Sequence, residues 1–196
     1  MLKSFSKRFK RPFFTLMPGE YYSNKEPVII STILGSCISV CIFDSKNKIG
    51  GMNHFMLPGK IDLDMPIFTD IGRYGMYAMD LLIGDMIKHG AERVNMKAKV
   101  FGGASLLAFR KEDGDLSSEN IMFAKEFLSL EHIPLVSKDT GGNAARKIFF
   151  FTETGKVLLK RLPKTSVTLA LKNEQKYKNN LLKKRSDHTR TFLFDV

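Results

Sequence analysis

Two side chains in this sequence have the types and the spacing for nucleophilic chemistry: Cys37 and His54. Cys37 follows Leu34-Gly35-Ser36, and a glycine there lets the chain turn sharply, with backbone amides free to point at a ligand. A free thiol has a pKa of about 8.5, so at neutral pH it needs a base beside it before it attacks a carbonyl. A hairpin supplies one. Ile38 to Phe43 and Gly51 to Leu57 read as strands joined by the polar link Asp44-Ser45-Lys46-Asn47-Lys48. A two-residue turn at Ser45-Lys46 pairs Cys37 directly with His54, with side-chain roots roughly 5 Å apart. A turn at Lys46-Asn47 makes them diagonal neighbours, still on one face. Either register gives a thiol and an imidazole able to carry an acyl group to water. Such a pair needs a third group to orient the ring. No acid lies between positions 28 and 43, so the candidates are the hydroxyls of Ser31 and Thr32 or a backbone carbonyl.

Other chemistry is weakly signalled. Cys41 lies between Val40 and Ile42 and reads as a core residue. Cys37, Cys41 and His54 together lack the fourth ligand that a zinc site wants. His89 and His132 fall at helix ends and His188 in a basic stretch. There is no Gly-x-x-x-x-Gly-Lys-Ser/Thr phosphate loop and no Gly-x-Ser-x-Gly elbow. No metal or cofactor is expected.

The elements that must position the pair follow from periodicity and punctuation. An extended stretch begins near Val28. A helix starts at Thr69 or Asp70, either able to cap it, and runs to about His89, where Gly90 stops it. Val94, Met96, Ala98 and Val100 alternate with polar residues as a strand does. A turn at Glu112-Asp113-Gly114-Asp115 precedes a second helix, opened by Ser117 or Ser118 and reaching about Leu130. Strands follow at Ile133–Val136, Lys147–Thr152 and Lys156–Leu162, the last two joined by Glu153-Thr154-Gly155. The fold class is α+β: a mostly antiparallel β sheet or sandwich with two main helices packed on it.

The chain has 196 residues and a formal charge of +11, which suggests a nucleic-acid binder until the charge is located. Lys3, Lys7, Arg8, Lys10 and Arg11 stand without an acid in the first twelve residues, and positions 172–190 hold seven bases against Glu174 and Asp187. The body between is nearly neutral, whereas a base-reading module would carry its positive charge on the fold. The expected organisation is a basic N-terminal extension (1–15), one domain (16–171) and a basic C-terminal tail (172–196). The basic ends suit solvation or contact with an anionic membrane surface. The longest uncharged run, Pro27 to Phe43, falls short of a bilayer span and holds Ser31, Thr32, Gly35, Ser36 and Ser39. No secretory signal is evident, and two cysteines make no disulfide framework. A soluble cytoplasmic protein is expected.

The motifs have a familiar order. Pro18-Gly19-Glu20-Tyr21-Tyr22, Leu34-Gly35-Ser36-Cys37, His54-Phe55-Met56-Leu57-Pro58 and Phe101-Gly102-Gly103-Ala104 are followed by Asn120, Asp139-Thr140-Gly141-Gly142-Asn143, Arg146-Lys147 and Thr154-Gly155-Lys156-Val157. This set, over roughly residues 16–163, resembles the CheD family of bacterial chemoreceptor glutamine deamidases. The resemblance implies a fold similar to CheD and to glutamine-deamidating toxin domains. It also implies an amidohydrolase that converts receptor glutamines to glutamates through a thioester, without metal or cofactor. Carried over, Cys37 is the nucleophile and His54 the base. The family's third residue is a threonine that falls on Ser31 by spacing from the cysteine, with Thr32 one position off. Partners implied are chemoreceptor cytoplasmic domains and the CheC phosphatase, and the alternative is a regulatory protein that docks on either without turnover. The chain departs from the family's pattern at Ser117 and Glu119, in place of Gly and Arg, and at Ala145, in place of Gly. The first two bear on docking.

Overall fold

The computed structural model describes residues 1–57, 70–105, 116–163, 176, 177 and 179, with backbone only at 70–73. The expected turn at 112–115 and the Thr69 cap lie outside the described residues. Among the described residues, ten strands and two long α-helices, with a short 3₁₀ turn at Arg93–Asn95, make an α+β fold of two mixed sheets. The first sheet runs β1 (Leu2–Ser6), β2 (Arg11–Thr15), β4 (Ile29–Leu34), β9 (Arg146–Phe151), β10 (Lys156–Arg161). The second runs β3 (Tyr21–Asn24), β6 (Ile49–Asn53), β5 (Ile38–Asp44), β7 (Met96–Gly102), β8 (Leu135–Thr140). Neighbouring strands are antiparallel except β2 with β4 and β7 with β8, which are parallel.

The second sheet is the middle layer. Ile38, Val40 and Ile42 of β5 point to one side, where Met79, Leu82, Ile83 and Met86 of helix α1 (Asp70–Lys88) and Phe123, Phe127 and Leu128 of helix α2 (Leu116–Leu130) cover them. Cys37 and Cys41 point to the other side and pack with Ile30 and Leu34 of β4 and Ile148 and Phe150 of β9. With both faces covered, strands β4 and β5 are apolar along their length rather than alternating. That is why residues 27–43 form one long uncharged run. No helix among the described residues is long and apolar enough to cross a membrane.

Two features depart from the sequence expectation. Residues 2–15, expected as a basic extension, form the β1–β2 hairpin, and Phe14 pairs in register with Ile30 of β4. Phe9 and Phe13 pack on Phe149, with centroids 6.5 and 6.0 Å apart, which ties the hairpin to β9 across the outer face of the first sheet. The strand expected from Ile133 begins at Leu135 and continues to Thr140.

Candidate active site

The register of the β5–β6 hairpin decides how Cys37 and His54 meet. Cys41 lies opposite Met52 and Asp44 opposite Ile49, and the pattern continues to a bridge between Ile38 and Phe55. The bridge is made by two reciprocal backbone hydrogen bonds of 2.9 Å. Of the two registers open from sequence, this is the one in which Cys37 and His54 are diagonal neighbours. Asp44 imposes it. One carboxylate oxygen accepts the amides of Lys46 and Asn47 at 2.9 and 3.0 Å, and the other accepts the Asn47 side-chain amide at 2.9 Å. These bonds close a four-residue link, completed by Lys48 in the left-handed region at φ 56°, in place of a two-residue turn. Cys37, Cys41, Met52 and Met56 share the face that looks toward the first sheet, and His54 falls between the two methionines on it.

The imidazole is held from the opposite sheet. Thr32 Oγ1 of β4 lies 2.7 Å from His54 Nδ1 and donates to the carbonyl of Leu16 at 2.9 Å. A hydroxyl has one proton, and a carbonyl can only accept. Thr32 therefore accepts from Nδ1–H, and the lone pair of His54 is on Nε2. That nitrogen is buried and has no hydrogen-bond partner among the described residues. Burial pushes the His54 pKa down to about 3, against a smaller opposing effect from the Leu16 backbone, so the ring is neutral, with its lone pair on Nε2.

Ser31, the position that family spacing points to, does not reach the ring. Side chains alternate along β4, so Ile30, Thr32 and Leu34 face the middle layer. Ser31 faces outward, paired in register with Phe149, its hydroxyl buried without a partner. Counting back from the cysteine lands on the wrong face; the strand puts Thr32 there.

The cysteine turn is pinned through its carbonyls. Gly103 N–H donates to Cys37 O at 2.8 Å and Ala104 N–H to Gly35 O at 2.7 Å. Gly102, at φ 114°, has no Cβ where one would strike the Cys37 carbonyl. Fully buried Asn120, in the first turn of α2, donates to Ser36 O at 3.2 Å and accepts the Leu57 amide at 2.8 Å. One carboxamide thus ties the Cys37 turn to the chain just after His54. Behind Gly102 lies Arg146, 2% exposed. It donates to Gly102 O at 3.1 Å and also bonds the carbonyls of Asp139, Gly141 and Ala144. Asn120 and Arg146 carry no chemical signature in sequence. Their signal is a polar side chain at a position that packing has made dry.

The remaining candidates sit elsewhere. Cys41 is in the core, its thiol pushed up by burial. His89 follows α1, 4.0 Å from Asp85, and His132 follows α2 at φ 53°. Ser117 lies inside the first turn of α2, bonding Ala104 O at 3.2 Å.

Comparison with known proteins gives the chain's relatives. Residues 56–161 match the family model described as CheD chemotactic sensory transduction. The chain is 42% identical over 178 residues to a protein of Janthinobacterium sp. (strain Marseille) named "Probable chemoreceptor glutamine deamidase CheD", covering 90% of this chain and 87% of that one. A Geobacter sulfurreducens relative named as a CheD 1 deamidase is 44% identical over 157 residues, covering 78% of each. An Albidiferax ferrireducens relative with the same kind of name is 48% identical over 147 residues, covering 75% of this chain and 60% of that one.

Proposed function

The chain belongs to the CheD family of chemotactic sensory transduction proteins, and from that premise we propose that it deamidates glutamine side chains of chemoreceptor cytoplasmic domains, with Cys37 as nucleophile, His54 as base and Thr32 as the group that orients the ring. The observation that carries this reading is the Thr32–His54 hydrogen bond, which leaves a buried, unpartnered Nε2 on the face that Cys37 shares.

The steps follow from that tautomer. Nε2 takes the proton from Cys37 Sγ as the sulfur attacks the carboxamide carbon. The amides of the pinned turn are assigned to the oxyanion, since the hydrogen bonds that the turn's carbonyls accept fix the peptide planes before substrate arrives. The imidazolium gives its proton to the departing nitrogen, which leaves as ammonia, and a thioester joins the substrate to Cys37. Nε2 then takes a proton from water, the hydroxide adds to the thioester, and collapse returns the thiol and releases glutamate. Thr32 stays hydrogen-bonded to Nδ1–H throughout and supports the transient cation.

The test is peptide mass spectrometry of a receptor cytoplasmic fragment incubated with the protein. Each glutamine converted gains about one dalton with release of one ammonia. Wild type is expected to convert defined glutamines, and Cys37→Ala and His54→Ala to convert none; conversion that survives both substitutions sinks the reading. A second reading, regulatory docking on receptors or on a CheC phosphatase, draws support from the closed state of the site: Cys37 is 0% and His54 2% exposed. On that reading, binding of either partner survives Cys37→Ala while nothing is converted by any form of the protein.

A further inference from the structure

A glutamine side chain must reach Cys37, yet the thiol and the imidazole are both sealed. Tyr177, in the C-terminal part of the chain, packs beside the nucleophile's cluster. The Tyr177 hydroxyl hydrogen-bonds that of Tyr74 on α1, 103 residues away in sequence. Its ring edge and hydroxyl abut Gly19: a Cβ at Gly19 would sit 2.6 Å from them, and the backbone there is at φ 87°. Gly19 in turn donates its amide to the His54 carbonyl at 2.7 Å. The same ring packs against the cluster that holds Cys37 and Met56. Tyr177 therefore contacts Gly19, which is hydrogen-bonded to the His54 carbonyl, and the cluster that includes Cys37. Burial raises the pKa of both tyrosines, and the charge that Cys37 would carry adds to the rise in each.

We propose that Gly19 and Tyr74 form the subsite through which a glutamine-bearing segment approaches Cys37, and that Tyr177 occupies it in the resting chain, so that tail and substrate compete for it. A glycine with no side chain and a phenol hydroxyl facing it make a slot for a flat group with a polar end. A tyrosine ring fills it from within the chain; a primary carboxamide is flat and polar in the same way, and can exchange hydrogen bonds with the Tyr74 hydroxyl once Tyr177 leaves. Displacing an intramolecular occupant lowers apparent affinity by the fraction of time the slot is open. The substrate in this proposal rests on the deamidase reading, whereas the occlusion of Cys37 does not.

The test is the second-order rate of Cys37 alkylation by iodoacetamide, itself a small primary amide, in the full chain, with residue-level readout by mass spectrometry. Tyr177→Ala should accelerate labelling of Cys37 by about tenfold or more, and Tyr177→Phe, which keeps the ring and loses only the Tyr74 bond, by less. Cys41, 1% exposed in the core, is the internal control and should stay slow in every variant. Unchanged Cys37 labelling in Tyr177→Ala overturns the proposal, and so does parallel acceleration of Cys41, which reports general loosening. On a receptor fragment, Tyr177→Ala should lower KM with little change in kcat; an unchanged KM overturns the competition. Faster labelling with no deamidation by any form would uphold the occlusion and sink the deamidase reading instead.

Discussion

The single proton of the Thr32 hydroxyl goes to the Leu16 carbonyl, and from that the protonation of His54 follows. Thr32→Val removes the acceptor for Nδ1–H with little change in volume, so glutamine conversion should slow by about 10- to 100-fold, while Thr32→Ser retains most of the rate. Ser31→Ala should leave the rate unchanged and raise stability by up to about 1 kcal/mol, because it deletes a buried hydroxyl that bonds nothing. His54 also makes stability depend on pH. Its folded-state pKa is about 3, against about 6.5 when unfolded. Between those values the unfolded chain binds the extra proton, so stability is complete above about pH 6.5 and falls as the pH drops toward 3. Denaturant midpoints at pH 7 and pH 5 should show a loss of about 2 kcal/mol from this residue, absent in His54→Asn. The sequence brought the nucleophile and base into view because both are rare residue types set symmetrically about a polar link. It left Ser31 and Thr32 open because the choice between adjacent hydroxyls is made by the strand face, not by the number of residues to the cysteine.

At the scale of elements, the site depends on two tethers whose roles are not legible in sequence. Asp44 closes the β5–β6 link and also accepts the Glu92 amide at 2.9 Å, fastening the hairpin to the chain before β7. Burial alone would raise its pKa, but the hydrogen bonds from Asn47, Glu92 and Lys46 outweigh it and hold the carboxyl below the usual range. Asp44→Ala should cost about 2–4 kcal/mol of stability in thermal or urea unfolding. Asn120 joins the Cys37 turn to Leu57 across the mouth of the hairpin. Asn120→Ala is expected to lower kcat about tenfold with KM for the receptor fragment within twofold, since it loosens the nucleophile rather than the docking surface; a rise in KM alone would assign Asn120 to binding. The hairpin was legible because polar and apolar residues divide cleanly at Asp44. The second helix was placed within a residue or two, from its serines and from Phe123 and Phe127. Asn120's role was not legible, since it exists only once α2 has been laid across the end of β5.

For the whole molecule, what matters is that the proposed site is assembled between layers: thiol and imidazole from the middle sheet, the orienting hydroxyl from the outer one. The sequence left open whether the strands make one sheet or a sandwich, because β4 and β5 are buried on both faces and show no periodicity to orient them. The β1–β2 hairpin was hidden by its charge, which says nothing about the phenylalanines that dock it. The most direct measurement of the central claim is glutamine conversion on a receptor fragment in ¹⁸O-labelled water, compared across wild type, Cys37→Ala, Thr32→Val and Ser31→Ala. Hydrolysis of a thioester by that water adds about three daltons per converted glutamine. The account predicts this gain for wild type and Ser31→Ala at similar rates, a much slower gain for Thr32→Val, and none for Cys37→Ala. Conversion by Cys37→Ala at the wild-type rate, or equal losses in Ser31→Ala and Thr32→Val, would contradict it.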